Sequence, residues 1–162
     1  MSNTTQRPGD DLLVKRLPEW ILFEKLIGEL KKFGTYHELG VTKSDQFELP
    51  LGAMTFGSKD PSAPVLGLFG GVHGLERIGA QVVLALMQSF SELILWDDLI
   101  KHALEKMRIV FMPMVNPLGM MAGTRSNPNG IDLMRNAPIE AIEAPTPMVG
   151  GHRISPRWPW YR

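Results

Sequence analysis

The stretch Phe69-Gly70-Gly71-Val72-His73-Gly74-Leu75-Glu76-Arg77 constrains this chain more than any other. It continues a short apolar run, Val65-Leu66-Gly67-Leu68-Phe69, and leads into an apolar periodic segment that begins at Ile78. The run reads as a buried strand and the periodic segment as a helix. The stretch therefore lies at a strand-to-helix corner, on the C-terminal edge of a sheet, where α/β folds place their ligands. His73 and Glu76 carry side chains that suit zinc, and their i, i+3 spacing lets them converge on one ion if the turn is helical. The glycines let the backbone pass close to whatever binds there. Taken alone, the pair reads equally as the polar first turn of a helix.

The rest of the chain supplies alternating elements. Periodicity and punctuation predict a helix over 18–33, with Pro18 near its start and Gly34 just past its end. Strands are predicted over 35–41 and 46–57, and Lys59-Asp60-Pro61-Ser62-Ala63-Pro64 is a turn. The strand over 65–69 follows, then a well-buried helix over 78–90. A second helix over 96–106 is opened by Asp97 and Asp98, and a strongly apolar strand covers 107–114. From Asn116 to Arg162 loop signals dominate. Residues 1–11 read as a disordered polar terminus. Strands interleaved with helices argue for an α/β layered domain, and the crossover between the last two strands predicts a parallel pair.

Composition removes several classes of function. The 162 residues carry 17 basic and 17 acidic side chains and a net charge of zero, which gives no case for nucleic-acid or membrane-surface binding. There is no cysteine, so any metal must be held by His and carboxylates. The polar first residues do not read as a signal peptide, and no apolar run is expected to reach membrane-spanning length. The expected setting is the cytoplasm. Oligomeric state is not encoded in any motif.

Further motifs follow the His-Glu corner in order. They are Asn116-Pro117-Leu118-Gly119 and then Arg125-Ser126-Asn127-Pro128-Asn129-Gly130-Ile131-Asp132-Leu133-Met134-Arg135-Asn136. With the GGxHGxE-type corner, this order resembles the zinc carboxypeptidase family and its aspartoacylase and succinylglutamate desuccinylase relatives. The resemblance covers roughly residues 45–136. It implies a mixed, mainly parallel sheet with helices on both faces. It also implies that residues 12–162 are the N-terminal part of one catalytic domain, apparently truncated, because the family fold is longer than this chain.

The resemblance further implies a zinc-dependent hydrolase of amide (C–N) bonds, in which a metal-activated water attacks a carbonyl. His73 and Glu76 would be two of the three zinc ligands. Arg125 would hydrogen-bond the developing oxyanion, and Arg135 would grip a substrate carboxylate through its bidentate fork. Small peptides and N-acyl amino acids are the implied substrates, so a deacylase of the aspartoacylase type is the alternative. A non-catalytic relative is a further alternative, because the family's third ligand and its general-base Glu have no clear counterpart here. Met134 departs from the pattern, which has Asn there to bind the carboxylate; Asn136 is a candidate replacement donor. Asp132 is either an outer partner of a metal-ligating His or a turn cap. His152, in a flexible Gly-rich segment, is a weak candidate for the third ligand. His37 and His102 read as structural or exposed.

Overall fold

The computed structural model describes residues 10–136, with side chains from Leu12 onward. The first helix, α1 (Asp10–Arg16), begins inside the stretch expected to be a polar terminus. It is followed by α2 (Pro18–Leu30) and the hairpin β1 (Thr35–Lys43) and β2 (Glu48–Gly57). Then come β3 (Val65–Phe69), α3 (Ile78–Trp96), α4 (Asp98–Lys106), β4 (Arg108–Met112) and α5 (Pro117–Ala122). The four strands form one sheet in the order β1-β2-β4-β3.

The sheet is mixed, which corrects the expectation of a mainly parallel one. β1–β2 and β2–β4 pair antiparallel, and only β3–β4 pair parallel. The reason is local. β1 and β2 are consecutive and joined by a short link, in which the Ser44 N–H donates to the Phe47 carbonyl at 2.8 Å, and a short link permits only an antiparallel pair. β3 and β4 are separated by α3 and α4, long enough for the parallel crossover that the sequence predicts.

The register fixes which side chains meet the helices. Tyr36, Met54, Phe111 and Leu68 stand opposite one another across all four strands. Met54 and Phe111 in that row are buried, and they join one apolar cluster with Phe23 and Leu26 of α2 and Val83, Leu84, Met87 and Phe90 of α3. At its centre Phe56, Phe90 and Phe111 meet with ring centroids 4.8, 5.5 and 5.9 Å apart. Tilted and edge-to-face rings at these spacings add to the burial of their area.

α3 extends past the expected end at Phe90 to Trp96, and it is less buried than its sequence suggests. Ala80, Val83, Leu84, Met87, Phe90 and Ile94 face the core, while Ile78, Val82 and Leu86 form an exposed apolar stripe. With Glu92 as its one charged residue, α3 is by length and composition apolar enough to cross a membrane. That corrects the expectation that no segment reaches such a length, although one face of this helix packs into a protein core. α4 starts at Asp98, later than Trp96, because the Asp97 side chain caps it by accepting from the N–H groups of Leu99 and Ile100. α5 lies where loop was expected. Asn116 caps it, Pro117 occupies its first position, and Gly123 ends it in the left-handed region.

Candidate metal centre

The corner after β3 is held down along its whole length. The parallel ladder continues beyond the strand ends: Gly70 N–H donates to the Met112 carbonyl at 3.0 Å, and Val115 and Asn116 N–H donate to the Gly70 and Gly71 carbonyls at 2.9 Å. Gly71 takes a positive φ of 62°, which side chains rarely adopt. At Gly74 the requirement is contact: a Cβ there would overlap the Gly119 carbonyl group of α5. The glycine therefore serves an internal approach of two backbone segments.

This path places His73 and Glu76 on a single tight turn before α3 begins, closed by the Glu76 N–H donating to the His73 carbonyl at 3.1 Å. His73 Nδ1 lies 3.3 Å from Glu76 Oε1. The other ring nitrogen, Nε2, is buried and lies 3.4 Å from Asp132 Oδ1, in ion-pair reach but outside hydrogen-bond geometry. Arg125 closes a ring of contacts, its Nη1 3.2 Å from Glu76 Oε1 and its Nε 2.7 Å from Asp132 Oδ2. Arg135 Nε is 3.7 Å from the same Asp132 oxygen.

Asp132 is the turn cap that was one of its two expected roles, and it also lies beside His73. Its Oδ1 accepts from the backbone N–H groups of Met134 and Arg135, as a turn cap does, while the carboxylate faces His73 and Arg125. It is fully buried, at 0% exposure. Burial pushes its carboxyl up, but hydrogen bonds from Arg125 and the Arg135 N–H and the Arg125 charge outweigh that and hold it below the usual carboxylate range. The Asp132 carboxylate lies on the Nε2 side of the His73 ring and the Glu76 carboxylate on the Nδ1 side.

That arrangement tests whether a metal fits. His73 Nδ1 and Glu76 Oε1 face each other at 3.3 Å, with the Arg125 guanidinium 3.2 Å from the same oxygen. Two donors of a tetrahedral zinc, each at about 2.1 Å from the ion, stand about 3.4 Å apart. The donor chemistry and spacing therefore fit zinc. Among the described residues no group of three or more His, Cys, Asp or Glu side chains could hold a metal, so only this pair is in place. His152 lies outside the described residues. His37 sits exposed on β1, and His102, on α4, is exposed beside Glu105 at 3.0 Å.

The remaining candidates are placed as follows. Met134 is exposed, and the Asn136 side-chain amide donates to the Asp132 carbonyl at 2.8 Å, within its own turn. Asn116 was quoted only as part of a motif, yet it joins three parts of the site. Its side chain accepts from Gly119 N–H at 3.0 Å and donates to the carbonyls of Val72, at 3.4 Å, and Ser126, at 3.1 Å. The Asn-Pro pair was the signal for this, as a helix cap followed by the residue that best fills the first helical position.

Known proteins share this fold. The sequence profile of the zinc carboxypeptidase family, Peptidase M14, matches residues 34–147. Carboxypeptidase SOL1 of Arabidopsis thaliana is 32% identical over 75 residues, 46% of this chain and 15% of that protein. A metallo-carboxypeptidase from Burkholderia cenocepacia superposes with a TM-score of 0.57 at 19% identity, over 70% of this chain and 31% of that one. A proposed carboxypeptidase A from Shewanella denitrificans gives 0.58 at 22% identity, over 72% and 30%. At such identities the structural likeness is one of fold, and this chain spans less than a third of the length of each of these relatives. The profile match extends over well more than half of the sequence and includes the His-Glu corner, the Asn-Pro cap and the Arg125–Asn136 turn: the chain belongs to the zinc carboxypeptidase family.

Proposed function

We propose that this chain carries a zinc-binding pair and an anion-binding arginine of a carboxypeptidase-like hydrolase of amide bonds. The observation that carries the reading is the convergence of His73 Nδ1 and Glu76 Oε1, with Arg125 against the same carboxylate oxygen. His73 and Glu76 would hold the ion. Zinc, when bound, supplies Lewis acidity that polarises a carbonyl and makes water a better nucleophile. Asp132 keeps the His73 ring turned with Nδ1 outward and stays ionised while doing so. Arg125 is anchored through Nε to Asp132 and through Nη1 to Glu76, which leaves Nη2 to meet negative charge that develops on a substrate carbonyl oxygen. Such a contact strengthens as the charge forms, so its loss acts on turnover more than on ground-state binding.

Arg135 is the proposed anchor for a substrate carboxylate. Met134 supplies no donor beside it, and this observation keeps N-acyl amino acids next to peptides as substrates. Zinc titration of the protein by calorimetry, beside His73→Ala and Glu76→Ala, tests the metal assignment. The expected result is one-to-one binding, weak for two protein ligands, that both substitutions abolish. Binding that survives either substitution unchanged defeats the assignment.

A further inference from the structure

A second buried carboxylate lies beside the corner, and the metal reading does not use it. Glu19, in the first turn of α2, is 6% exposed. Arg77 reaches it with both arms of its guanidinium: Nε donates to Glu19 Oε1 at 2.9 Å and Nη2 donates to Oε2. Gln81 of α3 adds a third donor to Oε1 at 3.2 Å, and the remaining arm of Arg77 donates to the Arg16 carbonyl at 3.0 Å. A buried carboxylate is costly unless its lone pairs are met, and here donors reach both oxygens. Glu19 sits among apolar neighbours of its own helix, next to Trp20 and one turn before Phe23.

The place of Arg77 in the chain gives the pair its meaning. Arg77 directly follows Glu76, immediately precedes α3, and accepts the Gln81 N–H through its carbonyl at 3.1 Å. The His73–Glu76 turn is thus gripped before and after. Asn116 holds the Val72 carbonyl on the incoming side, and Glu19 holds Arg77 on the outgoing side. Because Arg77 is the residue next to Glu76, its hold on Glu19 restrains Glu76 from the backbone side, while Arg125 meets the Glu76 carboxylate at 3.2 Å.

We infer that the Glu19–Arg77 pair is a positioning device for the candidate metal turn, tying it to α2 so that Glu76 and His73 keep their donors converged. The functional half of this inference rests on the zinc reading above; the mechanical half does not. A bidentate fork fixes orientation as well as distance, which a lysine in the same place could not do fully.

The test uses the whole chain with Glu19→Gln, Arg77→Gln and Arg77→Lys, and Ile94→Val as a core control that lowers stability elsewhere. Amide hydrogen exchange is measured without metal, and zinc affinity by calorimetry. The expected result is a loss of protection of about tenfold or more at the Glu76 amide and its neighbours in both Gln variants, with sheet amides unchanged and a smaller loss in Arg77→Lys. Zinc dissociation constants should rise about tenfold in the Gln variants, the low end for groups outside the ligand shell, and stay constant in Ile94→Val. Unchanged protection at Glu76, or a loss spread evenly over the chain as in the control, overturns the inference. Equal zinc affinity in wild type and Gln variants also overturns it. Localised loss of protection in a chain whose wild type binds no zinc upholds the positioning and removes the zinc reading instead.

Discussion

The corner above β3 and the flank beside it use adjacent residues in opposite ways. At the corner, polar groups dominate and almost every one is matched: Asp132 by Arg125 and two backbone N–H groups, Glu19 by Arg77 and Gln81, Asn116 by Val72, Ser126 and Gly119. Along the flank, Val65, Leu66 and Phe69 of β3 and Ile78, Val82 and Leu86 of α3 are apolar and exposed, with Ile78 70% accessible. Geometry is over-determined where chemistry is proposed and loosely determined a few residues away. The corner should therefore be sensitive to substitution and the flank tolerant.

The largest effect is expected at Gly74. Its alanine variant forces a methyl group into the Gly119 backbone, which cannot give way as a flexible side chain would. Overpacking of this kind should cost about 3 kcal/mol or more, read by urea denaturation, and a loss below about 1 kcal/mol would break the contrast with the flank. Next comes Arg77→Ala, which strands the buried Glu19 carboxylate. Removing one member of a buried pair costs about 3–5 kcal/mol, and allowance for the partly exposed guanidinium brings the expectation to roughly 2–3 kcal/mol.

A pH series sharpens the same point. Burial raises the Glu19 carboxyl, but hydrogen bonds from Arg77, its own backbone and Gln81, with the Arg77 charge, hold it below its ordinary 4.5. A group depressed in the folded state stabilises fully above its unfolded value and loses that contribution as pH falls through the folded one. The stability gap between wild type and Glu19→Gln should thus be constant above about pH 5 and shrink below 4.5. A gap that widens on acidification would show that the carboxylate is not what the pair relies on. The smallest effect is expected from Val82→Lys on the flank, within about 0.5 kcal/mol in the same urea assay. A loss above 1 kcal/mol would mean that this face is packed in solution.

What the sequence made legible follows the range of the interactions involved. β3 has its expected bounds, because a short apolar run with a turn before it and glycines after it is a local signal, but the expectation that it is buried fails, since Val65, Leu66 and Phe69 are exposed. α5 was missed because Pro117–Ala122 is too short to show a period and contains Gly119, although its Asn-Pro cap was visible. The mainly parallel sheet was an expectation drawn from the resemblance, whereas the short link between β1 and β2 can only make a hairpin. The convergence of His73 and Glu76 was legible from spacing, and Asp132 from its place in a motif. The Glu19–Arg77 pair was not, since no rule of composition or period couples two charges 58 positions apart. The exposed stripe on α3 was hidden for a related reason: an apolar helix looks the same in sequence whether one face or all of it is covered.

The long separations also bear on the order in which this molecule can come together. Glu76 and Arg125 are 49 positions apart, and Glu19 and Arg77 are 58 apart, so neither pair can help an early, local nucleus. The Glu76–Arg125 pair joins segments that follow β3 and β4, so it awaits the parallel docking of those strands, which demands that the whole intervening crossover be gathered first. In a chain still unfolded, His73 and Glu76 sit on a wandering turn that does not hold their donors together. A zinc ion taken up by the proposed pair would thus be a late arrival, able to reward the finished corner but poorly suited to guide the chain toward it.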